Sequence, residues 1–259
     1  ERIHLETSSV LMRQHELKYV KPSADWPVCP NQQSTPPTND FVDISARQMT
    51  LGKQDASYGW DNEYGSLIKD CSAFRAAKYL CSNVEFLDFV EAGGYANDAY
   101  WQEEGLAWRQ YAQATHPTFW LKQDGEWKLR LMAEEINMPW SWPAEVNYHE
   151  AKAFCHWKSE QLGLPVRLPT EAEWYSMYAH AGLSDAIITA PHQANLFLDG
   201  EASSCPVDQF AHGDLFDVVG NVWQWTETPI FPFDGFKVHP IYDDFTTPTY
   251  DGRHNLIKG

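Results

Sequence analysis

The fold of this 259-residue chain is decided by two stretches, residues 167–174 (RLPTEAEW) and residues 220–225 (GNVWQW). In the first, Thr170 precedes Glu173 by three residues. That is the spacing of a capping box, which predicts a helix over residues 171–181. Both stretches look like scaffolding, and three of their large apolar side chains are expected to be buried: Trp174, Trp223 and Trp225.

Two further helices are predicted upstream of these stretches. The first covers residues 83–92, with Ser82 as its N-cap. The second covers residues 148–162, where Asn147 precedes the first turn and Gly163 follows the last. In both segments apolar residues recur at the spacing of one helix face.

Outside these helices the chain alternates between short strand-like pieces, such as residues 166–168 and 255–259, and long loops. Residues 95–120 and 199–213 read as long irregular loops, which are uncommon in compact domains unless they bind or catalyse. Aromatic residues make up 14% of the chain. Such bulky rings favour an irregular core over a Leu- and Ala-rich bundle. The predicted fold class is α+β with little regular secondary structure.

Composition excludes several classes of function. The net charge of −17 disfavours binding to nucleic acid and to anionic membranes. Five cysteines, an odd number without a C-x-x-C pair, give no support to a disulfide framework or a zinc knuckle. Neither a signal peptide nor an apolar run of membrane-spanning length is present in these residues, so a cytoplasmic location is expected.

The chain divides into three parts. Residues 1–20 read as the last piece of a helical domain, with a helical pattern over residues 1–18. Residues 21–40 contain five prolines and read as an extended linker, and residues 41–259 form the main domain. The chain opens inside a helical pattern without a starting Met, which predicts that it is a piece of a longer protein.

The two stretches quoted first, taken in this order, resemble the formylglycine-generating-enzyme or sulfatase-modifying-factor family. The resemblance covers residues 41–259 and implies a C-type-lectin-like fold. Within that family the opening residues, ERIHLETSS, resemble the last part of the H-x-x-x-H-x-E iron motif of the sulfoxide synthases. There the motif lies on a helix of a DinB-like four-helix domain. His4 and Glu6 match its second His and its Glu, and the first His would precede Glu1. Histidines four residues apart on a helix can share one metal ion, and imidazole suits Fe(II).

Two other segments narrow the resemblance. Residues 58–65 (YGWDNEYG) resemble the ovothiol branch of these synthases, and the side chains of Asp61, Asn62 and Glu63 either orient an amino-acid substrate or form a capped turn. Residues 235–245 match a loop whose tyrosine reaches the iron site in related synthases. Tyr242 is the match for this proton or hydrogen donor, with Tyr250 as the alternative.

The function that the resemblance implies is Fe(II)- and O₂-dependent joining of cysteine sulfur to histidine, giving a histidyl-cysteine sulfoxide. The partners would be cysteine, histidine, O₂ and the remaining domains of the same parent chain. Three alternatives stay open. One is a hercynine oxygenase of ergothioneine biosynthesis, which uses trimethylated histidine. Another is a formylglycine-generating sulfatase activator, although no cysteine follows Cys205. The last is a non-enzymatic lectin-like binding module.

Other kinds of site have weaker support in the sequence. No G-x-S-x-G elbow, G-x-G-x-x-G or P-loop occurs. Four acidic residues could together bind calcium but lack the regular alternation of an EF-hand loop: Asp199, Asp208, Asp214 and Asp217.

Overall fold

The computed structural model describes residues 2–30, 32–188, 193–196 and 200–259, with the backbone alone for residues 2, 3, 185 and 186. The helices of this described part are α1 (Arg2–Met12), α2 (Asn83–Glu91), α3 (Glu103–Ala112), α4 (Tyr148–Leu162), α5 (Glu171–His180) and α6 (Asp185–Ile188). Its strands are β1 (Phe41–Ile44), β2 (Arg47–Leu51), β3 (Leu67–Cys71), β4 (Phe74–Ala77), β5 (Trp120–Gln123), β6 (Glu126–Arg130), β7 (Glu135–Asn137), β8 (Ala211–His212), β9 (Leu215–Phe216), β10 (Gln224–Pro229) and β11 (Asn255–Lys258).

The strands form small antiparallel sheets rather than one continuous sheet. β5, β6 and β7 make a three-stranded sheet, and β1–β4, β2–β3, β8–β9 and β10–β11 are pairs. The α+β class with little regular secondary structure is therefore confirmed. Within the described residues, no helix combines the length and apolar character that crossing a bilayer requires.

The predicted helix starts are confirmed by their caps. The side chain of Asn147 accepts from the Glu150 N–H at 3.0 Å, and the Glu150 carboxylate accepts from the Asn147 N–H at 2.8 Å. Thr170 and Glu173 form the same reciprocal pair at the start of α5. Ser82 likewise caps α2. Each cap satisfies amide groups that have no partner inside the helix, so these boundaries could be read from the sequence.

Three local predictions were wrong. Residues 166–168 are not a strand, because the hydroxyl of Ser159 binds both the N–H and the C=O of Val166 and occupies the groups that a neighbouring strand would need. The region 95–120 contains α3, which has a Gly in its first turn and no side-chain cap. The first helix ends at Met12 rather than near residue 18.

The prediction of three buried tryptophans is only partly right. Trp174 is buried and Trp225 is half-buried. Trp223, by contrast, is 45% exposed and lies at the surface beside α1.

The main core is built from aromatic rings. Phe86 stacks on Phe154 with ring centroids 5.4 Å apart and meets Trp120 edge-on at 6.2 Å. Cys29, from the proline-rich segment, is fully buried in this same core. The N–H of Ala202 donates to the C=O of Pro27 at 2.8 Å. Part of the segment predicted to be a linker therefore packs into the domain, while the domain boundary at residue 41 stays a prediction.

Candidate functional site

Helix α1 lies along one side of a large cleft in the domain. The cleft has a volume of about 1210 Å³, and its walls include Glu6 and Val10 of α1 and the side chains of Trp223 and Trp225. The indole N–H of Trp223 donates to Oε2 of Glu6 at 3.1 Å. This contact gives the exposed Trp223 a polar partner and ties α1 to the GNVWQW stretch.

His4 lies on the exposed surface of α1. Glu6 is two residues further along the helix, and side chains two residues apart differ in direction by about 200°. The carboxylate of Glu6 therefore meets the cleft, and the imidazole of His4 is directed elsewhere. Within the described residues, the imidazole of His4 forms no hydrogen bond or ring contact.

The residues described here do not by themselves make an iron site. Within residues 2–30, 32–188, 193–196 and 200–259, no three His, Cys, Asp or Glu side chains converge on one point. His4 offers one nitrogen ligand, and the carboxylate of Glu6 is already the acceptor for Trp223. Of the acidic residues considered for calcium, Asp199 lies outside the described residues, and Asp214 contacts Nε2 of His180 at 2.9 Å.

The DNE segment forms a 3₁₀ turn, Asp61–Glu63, in the connection between β2 and β3. Oε2 of Glu63 accepts from the N–H of Trp60 at 2.8 Å, and the N–H of Glu63 donates to the C=O of Trp60 at 3.0 Å. Glu63 thus serves the capped turn that was one of the two readings of this segment. Asn62 is half-buried beside it.

Asp61 connects this turn to the loop that carries Tyr242. One carboxylate oxygen accepts from the hydroxyl of Thr246 at 2.5 Å, and the other accepts from the N–H of His239 at 3.0 Å. Burial alone would raise the pKa of Asp61. The hydrogen bonds from Thr246 and His239 outweigh that effect and hold the pKa below its usual value.

The same loop is also held by aromatic contacts. The ring of Phe245 stacks on Trp60 with centroids 5.0 Å apart. Tyr242 meets Trp60 edge-on at 6.4 Å and is 53% exposed. The predicted donor Tyr242 and the predicted substrate residue Asp61 are therefore neighbours in one cluster, which we call the Asp61 cluster: Trp60, Asp61, His239, Tyr242, Phe245 and Thr246.

Tyr250, the alternative donor, lies deeper in the same loop. Its ring meets Phe236 edge-on at 5.3 Å. Its hydroxyl is buried without a hydrogen-bond partner among the described residues. Burial, and then the negative charge of Asp61, raise the pKa of this phenol.

The structure brings Asp61 and Tyr242 together through contacts that do not involve His4. Trp223, which contacts α1, precedes β10, whereas the loop of Tyr242 follows β10. A six-residue strand spans roughly 20 Å. The hydrogen bonds of the Asp61 carboxylate and the ring contacts of Tyr242 go to Thr246, His239 and Trp60 rather than to α1.

Glu150 and Asp217 are buried carboxyl groups in the walls of the cleft. The sequence did not identify either of them as a residue of this cleft. Oε1 of Glu150 accepts from the hydroxyl of Tyr95 at 2.6 Å, and burial raises the pKa of Glu150 to about 7. Burial also raises the pKa of Asp217 to about 8, against the effect of the hydrogen bond from Asn221. Asp217 was considered only among four acidic residues for calcium, and Glu150 was not singled out as a site residue, because burial depends on distant segments.

Comparison with known proteins defines the family. A model of the sulfatase-modifying factor enzyme 1-like domain matches residues 28–235. The chain therefore belongs to the family of sulfatase-modifying factor enzyme 1-like domains. That membership agrees with the C-type-lectin-like fold expected from the resemblance of residues 167–174 and 220–225.

Individual relatives include two kinds of enzyme. A protein named hercynine oxygenase from Mycobacterium tuberculosis is 30% identical over 211 residues, covering 77% of this chain and 48% of that protein. A formylglycine-generating enzyme from Bos taurus is 28% identical and covers 89% of this chain and 67% of that protein. Ergothioneine biosynthesis protein 1 from Schizosaccharomyces pombe is 24% identical and covers 78% of this chain. The chain spans about half the length of the hercynine oxygenases that it matches.

Proposed function

We propose that this chain is the lectin-like part of a non-haem iron enzyme that joins cysteine sulfur to histidine with O₂, of the ovothiol type. The hydrogen bond between Glu6 and Trp223 is the observation that carries the proposal. It docks the helix with the His-x-Glu pattern onto the GNVWQW stretch, at the edge of a cleft. The similarity to three hercynine oxygenases supports the same class of chemistry.

In this proposal Fe(II) is the cofactor and His4 is one of its ligands. The residues described here supply only that one imidazole, so the other ligands would come from further parts of the parent protein. The cytoplasm is the proposed location. The assembled enzyme would hold the two amino-acid substrates in register at this iron, which raises their effective concentration and orients the reacting atoms.

Tyr242 is the proposed proton donor. A tyrosine hydroxyl is able to donate its proton to a strongly basic reacting group within hydrogen-bond reach. Asp61 contributes by holding the loop that carries this tyrosine, through Thr246 and His239. Substrate binding by Asp61, Asn62 and Glu63 stays a prediction. The carboxylates of Asp61 and Glu63 already have hydrogen-bond partners within the protein.

A hercynine oxygenase is supported equally by the relatives and is the main alternative. The ovothiol reading rests on the pattern of residues 58–65 alone. For a formylglycine-generating enzyme, the family implies a reactive cysteine pair. All five cysteines of this chain lie in its described part as free thiols, and four of them are buried.

The decisive experiment is an aerobic assay of the full-length parent protein reconstituted with Fe(II). Cysteine is supplied with either histidine or trimethylhistidine, and products are identified by mass. We expect a histidyl-cysteine sulfoxide with histidine, whereas preference for trimethylhistidine would assign the protein to the hercynine oxygenases. Absence of any sulfoxide or thioether product would refute both assignments.

Two pairs of variants test the residues. His4→Ala is expected to lose bound iron and product, while His15→Ala, an exposed histidine of the same segment, retains both. Tyr242→Phe is expected to lower kcat about 10²-fold, the lower end of the usual contribution of a general acid. Tyr111→Phe is its control, because Tyr111 is 91% exposed.

A further inference from the structure

We propose that Arg13 is a positioning residue that fixes helix α1 on the lectin-like domain and so holds Glu6 at the cleft. Its catalytic consequence rests on the function proposed above, while the docking itself is independent of that function. The argument starts from a pair of arginines that are 117 residues apart in the chain.

Arg13 and Arg130 bind each other's backbone. Nε of Arg13 donates to the C=O of Arg130 at 2.9 Å, and Nε of Arg130 donates to the C=O of Arg13 at 3.3 Å. Nη2 of Arg130 also donates to the C=O of His15 at 2.8 Å. The guanidinium of Arg130 thus binds two carbonyls of the segment that directly follows α1, and the guanidinium of Arg13 binds the last carbonyl of β6. We call this arrangement the arginine clasp.

The side chain of Arg13 is enclosed by several segments of the domain. Only 7% of it is exposed, and Nη1 forms an ion pair with Glu145. Its guanidinium carbon lies 3.8 Å from the centroid of the Phe119 ring, a cation–π contact. Breaking a buried ion pair leaves an uncompensated charge, so truncation of Arg13 acts strongly on the docked state.

The position of Arg13, directly after the end of α1 and in the wall of the same cleft as Glu6, explains why it controls Glu6. Arg13 is seven residues after Glu6, which is nearly two full turns. The two side chains therefore project from the same side of the helix, roughly 10 Å apart along its axis. The helix is attached to the domain at these two points, by the clasp at its end and by the contact of Glu6 with Trp223.

The chain provides a closely matched control in Arg109. Its side chain is 10% exposed and pairs with Asp98. Its guanidinium carbon lies 5.4 Å from the ring centroid of Trp101. Arg109 thus has the same chemistry as Arg13 but does not contact α1.

Hydrogen exchange of the full-length parent protein, without substrate, tests the docking. Arg13→Ala is expected to raise exchange of the amides in residues 4–12 about tenfold or more, because charge-assisted hydrogen bonds are lost. Arg109→Ala is expected to leave these amides unchanged. Equal exchange in wild type and Arg13→Ala, or an equal rise in Arg109→Ala, would overturn the proposal. If Arg13→Ala does not fold, Arg13→Lys provides the same test, with a smaller rise expected since Lys cannot form the forked contacts.

Activity per folded molecule tests the catalytic consequence. If Arg13 acts by holding Glu6 on Trp223, Arg13→Ala and Trp223→Phe lower kcat non-additively, and the double variant resembles Arg13→Ala alone. Additive losses, or a loss that only follows the melting temperature as in Arg109→Ala, would contradict a positioning role. A wild-type parent protein that forms no sulfoxide would refute the proposed function, and hydrogen exchange would still decide whether the clasp docks α1.

Discussion

Asp61 is the residue whose replacement tests the Asp61 cluster most directly. Its carboxylate accepts one hydrogen bond from Thr246 and one from His239, and no other described side chain joins the 3₁₀ turn to that loop by a hydrogen bond. A hydrogen bond to a charged group contributes about 1.5–3 kcal/mol when buried. Because Asp61 is only half-buried, we expect Asp61→Ala to weaken docking of the loop by ~1–2 kcal/mol for the pair. Such a change raises the open fraction of the loop about 5- to 30-fold.

The assay is hydrogen exchange of the peptides covering residues 236–250. We expect faster exchange in Asp61→Ala at pH 7 and little change in Asp55→Ala, whose carboxylate binds only within its own loop. The pKa of Asp61 is lowered in the folded protein, so its contribution is complete above the unfolded pKa and is lost as the pH falls through the folded pKa. The effect of the replacement should therefore be present at pH 7 and should shrink as the pH falls below the ordinary aspartate pKa of about 3.9. Unchanged protection of residues 236–250 in Asp61→Ala at pH 7 would refute the role of Asp61 as the anchor of this loop.

Two predictions concern stability. Burial raises the pKa of Glu150 to about 7, so the folded state binds its proton more tightly than the unfolded state does. Its contribution to the free energy of unfolding is complete below about pH 4.5 and falls by about 3 kcal/mol as the pH rises to 7. Glu150→Gln should remove this pH dependence, measured by urea unfolding at a series of pH values. An identical pH dependence in both proteins would show that Glu150 is not the group responsible. The ammonium of Lys258 lies 2.6 Å from Oε1 of the buried Glu171. Lys258→Met should therefore lower the free energy of unfolding by about 3–5 kcal/mol, because it leaves the Glu171 carboxylate without its partner. The double variant with Glu171→Met should recover most of that loss, and failure to recover it would point to lost packing instead.

Much of the fold was accessible from the sequence because its signals are local. The caps of α2, α4 and α5 depend on side chains and amide groups within three residues of each other. The stretches RLPTEAEW and GNVWQW were enough to indicate the family, which the domain match over residues 28–235 then showed. Helix α3 was missed because its sequence carries no capping side chain at Gln102.

The arrangement of the candidate site was decided by tertiary structure alone. Asp61 was chosen from its motif, but its partner Thr246 is 185 residues away and stands in a segment without a recognisable pattern. Trp223 was expected in the core, yet it is exposed and binds Glu6, 217 residues earlier in the chain. A sequence specifies which groups need a hydrogen-bond partner, since each unpaired buried group is costly. Which distant group meets that need depends on how the helices, small sheets and loops pack together, and no pattern within a few residues records it.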